Sequence, residues 1–206
     1  MSRAALLAAP AIPYAAVAVG LFALESAWAA MLLYHAGIVA VWIAAGRKPR
    51  PRALLEGFRA PLAIPLAFAG LAVGPIVWLA WPSAALDPSI AALLARFGLA
   101  GWPLAAFAVY AAIVNAPLEE LIWRGALREE ARRPAPGDVL FGGYHVLVLA
   151  LVVAWPVAAA AGIALFAAAW IWRVVSLRCG GLAVPYASHL AADLAVIGAA
   201  WALLRG

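Results

Sequence analysis

The chain has 206 residues, of which 68% are hydrophobic and 11% charged, and its mean hydropathy is +1.03. Soluble domains average about 45–50% apolar and about 25% charged residues, and a globule of this size exposes too much surface to hide the excess. A soluble domain is therefore excluded. Because the apolar runs are long and do not alternate with polar residues, they predict membrane-spanning helices rather than a barrel.

Apolar runs of the length that a spanning helix needs, about 20 residues, recur along the whole chain. We predict an all-α bundle of about seven spans, at residues 4–24, 27–45, 61–81, 102–123, 139–154, 157–175 and 182–204. Residues 87–98 predict a short interfacial helix between the third and fourth spans. The first run could instead be a signal peptide cleaved near residues 27–29, but its apolar region exceeds the usual about 7–15 residues, which favours an uncleaved span.

The chain shows no internal repeat, linker or soluble domain. We divide it into N-terminal spans at residues 1–100 and a helical segment at residues 101–206 that carries the polar motifs, within one continuous membrane domain. Cys179 is the only cysteine, so an internal disulfide and a thiolate metal cluster are excluded.

The basic residues predict the orientation of the bundle, because cytoplasmic loops of membrane proteins are enriched in them. The net charge of +5 could also suggest nucleic acid, but most of the charge lies in short loops between apolar runs, so we expect no such partner. With the 46–60 loop in the cytoplasm, only Arg96 and Arg205 fall outside. We predict a multi-pass protein of the cell (inner) membrane with a cytoplasmic N-terminus. The basic residues on the cytoplasmic side are then Arg3, Arg47, Lys48, Arg50, Arg52, Arg59, Arg124, Arg128, Arg132, Arg133, Arg173 and Arg178.

A few ionisable residues lie inside the predicted spans, where they are costly and usually functional. At about 1.5 Å per residue, Glu119 lies roughly 8 Å, and His145 and His189 each roughly 10–11 Å, from the cytoplasmic ends of three different helices. Their common depth predicts one site that opens toward the cytoplasm. The alternative is a set of unrelated interhelical hydrogen bonds, which is our interpretation of the deeper His35.

Helical spacing separates the two neighbouring glutamates of the fourth predicted span. Glu120 and Arg124 are at positions i and i+4 with the acid first, which favours an ion pair. Glu119 is rotated by about 100° from Glu120, so it can face the interior of the bundle. Pro117 lacks an N–H group, which loosens the helix just before this acid.

The same spacing pairs the remaining polar residues. Phe141 and His145 share a helix face, so the ring can fix the imidazole by packing, and His189 and Asp193 share another face. A carboxylate with one imidazole could hold and deprotonate a water, and the second imidazole with Asp193 could stabilise the resulting oxyanion. A zinc site of Glu119, His145 and His189 stays open, because the spacing does not separate the two mechanisms.

At these residues the sequence resembles the CAAX-protease and bacteriocin-processing (CPBP, or Abi) family of intramembrane proteases. The family pattern of paired glutamates, three residues and an arginine appears at 119–124, Phe-x-x-x-His at 141–145, and His-x-x-x-Asn/Asp at 189–193. Their order and spacing agree over roughly residues 100–205. Two positions depart from the pattern, because Trp123 replaces the usual Phe and Asp193 replaces the commoner Asn.

The resemblance implies a glutamate mechanism without a metal cofactor, although members are often labelled metalloproteases. It assigns water activation to Glu119 and His145, and the oxyanion hole to His189 and Asp193, which must be protonated to donate a hydrogen bond. It implies a membrane-tethered peptide or protein substrate, cut near the cytoplasmic face by CAAX-type trimming or by removal of a C-terminal sorting segment. The alternatives are an ion-coupled transporter and a non-catalytic immunity or scaffold protein.

Overall fold

The fold is known from a computed structural model that describes residues 8–46 and 48–205. The described residues form eight helices, which confirms the predicted all-α class. The helices are α1 (Ala11–Ala23), α2 (Ala27–Ala45), α3 (Ala60–Ala84), α4 (Ile90–Arg96), α5 (Trp102–Ala126), α6 (Pro136–Leu149), α7 (Trp155–Cys179) and α8 (Ala183–Arg205). A 3₁₀ turn at Pro51–Leu55 lies between α2 and α3.

Five of these helices, α2, α3, α5, α7 and α8, are long and apolar enough to cross a membrane, so the predicted count of seven is not confirmed. The two helices that fall short are α1 and the 14-residue α6. The short helix expected within residues 87–98 is present as α4. Residues 4–7 of the first predicted span, and Arg3 and Arg47 of the basic set, lie outside the described residues.

Close helix pairs in the bundle depend on glycines. A Cβ on Gly74 of α3 would lie 2.7 Å from the carbonyl oxygen of Ala195 on α8, and one on Gly142 of α6 would lie 3.0 Å from the carbonyl oxygen of Gly162 on α7. Small residues let helix backbones approach where lipid supplies no hydrophobic driving force between helices. These contacts hold α3 against α8 and α6 against α7.

The two ends of the bundle differ in charge and in contacts. One end is rich in arginine and is called the arginine-rich end. There the Pro51–Leu55 turn is joined to the start of α8 by a 2.8 Å hydrogen bond from Leu182 N to Ala53 O. At the opposite end, Arg96 of α4 forms a 2.6 Å ion pair with Glu25, and Ala154 N donates to Ala84 O at 2.8 Å. The described basic residues near the arginine-rich end are Lys48, Arg50, Arg52, Arg59, Arg124, Arg128, Arg132, Arg133, Arg173 and Arg178.

Candidate active site

Helix α5 carries both neighbouring glutamates on an irregular stretch of backbone. The α-helical turn Ala116–Glu119 lies between two π-helical segments, Ala111–Asn115 and Glu120–Ala126. Pro117 lies in this turn and supplies no backbone N–H, which agrees with the predicted loosening of the helix. Such wide turns are rare and occur frequently at functional sites.

The Glu119 carboxylate is buried, with 2% of the residue exposed. One of its oxygens, Oε1, accepts a short hydrogen bond from the Tyr144 hydroxyl of α6. The other, Oε2, has no hydrogen-bond partner among the described residues and lies 3.4 Å from His189 Nε2. One oxygen is thus held in place while the other is available to accept a proton.

Glu120 connects α5 to α8. Its Oε1 accepts hydrogen bonds from Arg124 Nη1 at 3.1 Å and from His189 Nδ1 at 2.9 Å. The ion pair predicted from the i,i+4 spacing is therefore present, and the contact with His189 is an addition that the spacing did not reveal. Because the Nδ1–H group is held by Glu120, the Nε2 atom of His189 is directed at Glu119.

Aromatic rings pack against Arg124 and His189. The Arg124 guanidinium lies over the rings of Phe141 and Trp172, at 4.3 and 4.9 Å from their centroids. Trp172 also stacks on the imidazole of His189, with 4.9 Å between the ring centroids. Cations are attracted to the faces of aromatic rings, so the rings stabilise the arginine and fix the plane of the histidine.

His145 is oriented by Phe141, as the sequence predicted, through both its ring and its backbone. The ring centroids are 4.7 Å apart, and His145 Nδ1 donates a 2.8 Å hydrogen bond to the Phe141 carbonyl. This bond leaves Nε2 as the atom that can accept a proton. His145 and Glu119 make no direct hydrogen bond, but they line the same cavity.

This cavity has a volume of about 330 Å³. Polar side chains lie at its deep end, where Asn115, Glu119 and His145 converge, and apolar side chains of α1, α2 and α4 line the rest. It extends from Glu119 toward Leu94 of α4, at the opposite end of the bundle. The predicted opening toward the cytoplasm stays a prediction, since the cavity of about 320 Å³ at the arginine-rich end has no contact with Glu119.

Asp193 lies at the edge of the cluster. Its Oδ1 is 3.6 Å from His189 Nε2, and its Oδ2 accepts a 3.4 Å hydrogen bond from Asn115 Nδ2 on α5. Asn115 in turn contacts His35 of α2, which also bonds to Tyr110, so the interhelical hydrogen bonds predicted for His35 are present. The structure therefore brings all four predicted catalytic side chains into one neighbourhood.

Two further site residues were not predicted from the sequence. Tyr144, which bonds to Glu119, directly precedes a predicted site histidine, but neighbours in a helix point in different directions and gave no reason to connect them. Asn115 is four residues before Glu119, so the i,i+4 rule could have placed it on the same wall. The Asn115 amide inside an otherwise apolar predicted span was the sequence feature that could have indicated a site residue.

The alternative zinc site of Glu119, His145 and His189 does not fit the arrangement of these side chains. Among the described residues, no group of three or more His, Cys, Asp or Glu side chains could hold a metal ion. One oxygen of Glu119 is also taken by Tyr144.

A protein-family model matches the part of the chain that carries the site. Several long apolar helices surround a buried acid and two histidines, as in a polytopic membrane protein with a polar interior site. Residues 101–195 match the model of the family described as Type II CAAX prenyl endopeptidase Rce1-like. The matched segment runs from α5 into α8 and includes all three motifs, so the resemblance predicted from the sequence is confirmed. No curated protein and no solved structure matches the chain significantly.

Proposed function

We propose that this protein is an intramembrane endopeptidase that hydrolyses a peptide bond of a membrane-tethered substrate with a water activated by Glu119 and His145. The observation that carries the proposal is the Glu119 carboxylate, which is buried, held at one oxygen by Tyr144, and free of hydrogen bonds at the other. The match of residues 101–195 to the model of a family of CAAX-type endopeptidases supports the reaction class.

The proposed reaction needs one water and no other reactant. Glu119 Oε2 takes a proton from the water as the water oxygen bonds to the carbonyl carbon, and the C=O electron pair moves to the carbonyl oxygen. His145 Nε2 orients the water by accepting a hydrogen bond from its second O–H group, whose proton stays on the water oxygen. When the C–N bond breaks, the nitrogen takes the proton from Glu119, which leaves a carboxyl group and an amine.

His189 and Glu120 support the intermediate in this proposal. A protonated His189 held by Glu120 at 2.9 Å can donate from Nε2 toward the negative oxygen. Asp193, assigned to the oxyanion hole by the family resemblance, has its Oδ1 3.6 Å from the same Nε2 atom of His189. Arg124 balances the negative charge of Glu120 through their ion pair.

We propose seven crossings, although α1 and α6 are short, and the connections of α6 support its crossing. Helix α6 starts beside Arg173, with which Asp138 forms a 2.6 Å ion pair, and the turn after α6 reaches the opposite end, where Leu86 N donates to Val152 O at 3.0 Å. A chain that starts at one end and turns back at the other has crossed the bundle. The positive-inside rule then assigns the arginine-rich end, and the N-terminus, to the cytoplasm.

Along α5, the proposed cleavage depth is nearer this cytoplasmic end. Glu119 is seven residues from Ala126 and 17 from Trp102, which at about 1.5 Å per residue corresponds to roughly 10 Å and 25 Å. We therefore propose the cytoplasmic half of the cell membrane as the place of cleavage. The substrate is a tethered peptide of either predicted kind, with a prenylated C-terminal tail or an apolar sorting segment.

The experiment uses purified protein in lipid vesicles and two fluorophore-quencher peptides. One peptide ends in a farnesylated cysteine followed by three residues, and the other carries an unprenylated apolar segment of about 20 residues, enough to span the bilayer. We expect the wild type to cut at least one of them, and Glu119→Ala and His145→Ala to cut neither. Glu130→Gln is the control, because its side chain is 74% exposed in a surface ion pair.

Each result has a defined meaning. Cleavage by Glu119→Ala at the wild-type rate would contradict the catalytic role of Glu119. Loss of wild-type cleavage with a strong chelator would instead favour the zinc alternative. If neither peptide is cut while the vesicles accumulate a solute, the transporter alternative is favoured. If nothing is cut or accumulated, a non-catalytic scaffold is favoured.

A further inference from the structure

Asn115 is the amide side chain at the deep end of the cavity, one helical turn before Glu119 on α5. Its Oδ1 accepts a 3.2 Å hydrogen bond from His35 Nε2, and its Nδ2 donates to Asp193 Oδ2 at 3.4 Å. A primary amide has two N–H donors and only one is used here. The second is available on the wall of the cavity that also holds Glu119 and His145.

The orientation of this amide is fixed by its neighbours. The Tyr110 hydroxyl lies 2.8 Å from His35 Nδ1, and when it donates to that atom the ring proton is on Nε2, which faces the Asn115 oxygen. On the other side, the Asp193 carboxylate accepts hydrogen bonds and would oppose a carbonyl oxygen. Both contacts therefore favour the same arrangement, with the NH₂ group turned toward Asp193 and the cavity.

Hydrolysis of a peptide bond needs a donor for the negative oxygen that forms on the attacked carbonyl. A carboxylate such as Asp193 has no hydrogen to donate when it is ionised. Tyr144 uses its hydroxyl hydrogen on Glu119, and the ring hydrogen of His145 is used on a backbone carbonyl. Asn115 offers a neutral donor in the same cavity, in addition to the protonated His189 proposed above and whatever the protonation state of Asp193.

We propose that the Asn115 amide donates a hydrogen bond to the oxyanion of the intermediate, and that His35 and Asp193 are positioning residues that hold this amide. The proposal rests on the proposed endopeptidase function and assigns a residue to its mechanism. No electron or proton leaves Asn115 in the reaction. Its N–H approaches the oxygen as the C=O electron pair moves there, and releases it when the C–N bond breaks.

The experiment measures kcat and KM on whichever of the two peptides the wild type cuts. Loss of one oxyanion donor lowers kcat by about 10²–10³-fold in other hydrolases, so we expect Asn115→Ala to lower kcat by that factor with little change in KM. We expect His35→Ala to lower kcat by about tenfold, and His35→Gln, which keeps a donor for Asn115 Oδ1, to lose less.

A second substitution separates this role from a structural one. Asp193→Asn places a new amide 3.4 Å from the position of Asn115, so in the Asn115→Ala background it should recover at least about tenfold in kcat, equal to 1.4 kcal/mol of transition-state stabilisation. A purely structural role of Asn115 does not predict this recovery, because an N–H donor is not what restores packing. Tyr14→Phe is the control, because it removes an interhelical hydrogen bond, to Leu140 O at 2.9 Å, that involves none of Asn115, His35 and Asp193.

The outcomes of this experiment separate the two proposals. If Asn115→Ala keeps the wild-type kcat while Glu119→Ala is inactive, the oxyanion role is wrong and the endopeptidase stands. The role is also wrong if Asn115→Ala loses activity and Asp193→Asn gives no recovery although the double variant unfolds at the wild-type temperature. If the wild type cuts neither peptide, the endopeptidase fails and the role of Asn115 falls with it.

Discussion

Two groups of buried charges occur in this bundle, and their hydrogen bonding differs. At the arginine-rich end, Arg173 donates to both oxygens of Asp138, at 2.9 and 2.6 Å, and to backbone carbonyls of the 129–133 segment. Asp138 also accepts from the backbone N–H of Ala135 at 2.9 Å. Neither side chain is among the described ones that have a buried atom without a hydrogen-bond partner.

The cluster around Glu119 is incomplete by the same measure. Buried atoms without partners are Oε2 of Glu119, Oε2 of Glu120 and Nη2 of Arg124. Unsatisfied buried polar groups are costly and rare in folded proteins. A cluster whose polar atoms all have hydrogen-bond partners, here called saturated, stabilises a loop against a helix. Under the proposed function, the atoms without partners in the Glu119 cluster bind water and substrate.

The largest expected effect on stability is at the saturated cluster. Asp138→Ala leaves Arg173 buried without its carboxylate, and such a loss typically costs about 3–5 kcal/mol of unfolding free energy. We expect the double variant Asp138→Leu, Arg173→Met to regain most of it, since an apolar pair often replaces a buried ion pair without loss. Thermal unfolding in detergent measures both, and a kcat per folded molecule far below wild type would contradict a purely structural role.

Glu120 contacts both Arg124 and His189, so its substitution should affect stability and rate together. Glu120→Gln keeps the shape of the side chain but removes the charge that holds both partners. We expect about 1–3 kcal/mol of destabilisation and a kcat lowered by about tenfold, equal to 1.4 kcal/mol. Parallel unfolding and kinetic measurements check this, with Glu130→Gln as the exposed control. A change in only one of the two would contradict the double role.

The smallest expected effect is at the apolar part of the cavity, far from the charges. Leu94→Trp on α4 narrows the cavity without touching Glu119, so we expect KM to rise by less than about tenfold while kcat is retained. Ala91→Trp on the exposed face of the same helix is the matched control. Equal KM values for the two variants would show that the substrate does not use this part of the cavity.

Much of the site follows from local sequence spacing. The pairs Glu120–Arg124 and Phe141–His145 are four residues apart on single helices, and both contacts are present as predicted. The bond from Tyr144 to Glu119 depends instead on how α6 packs on α5. No spacing within one helix contains that information, so the sequence could not supply it.

The ends of the helices were also harder to predict than their existence. The fifth predicted span, 139–154, corresponds to α6, which ends at Leu149, because residues up to Ala154 form turns and a contact with the end of α3. Those residues are as apolar as the helix, so hydropathy does not mark the boundary. The C-terminal end of the first predicted span, residue 24, differs from the structure by only one residue, since α1 ends at Ala23, just before Glu25 adopts a positive φ of 47°.

The most direct test of the central claim compares kcat for Glu119→Gln with kcat for Glu130→Gln in the same vesicles. The two substitutions remove the same charge, one from the buried and incomplete cluster and one from an exposed ion pair. General-base catalysis contributes about 10²–10⁴-fold, so we expect Glu119→Gln to lose at least about 10²-fold and Glu130→Gln to keep the wild-type rate. A wild-type kcat for Glu119→Gln would contradict the glutamate mechanism.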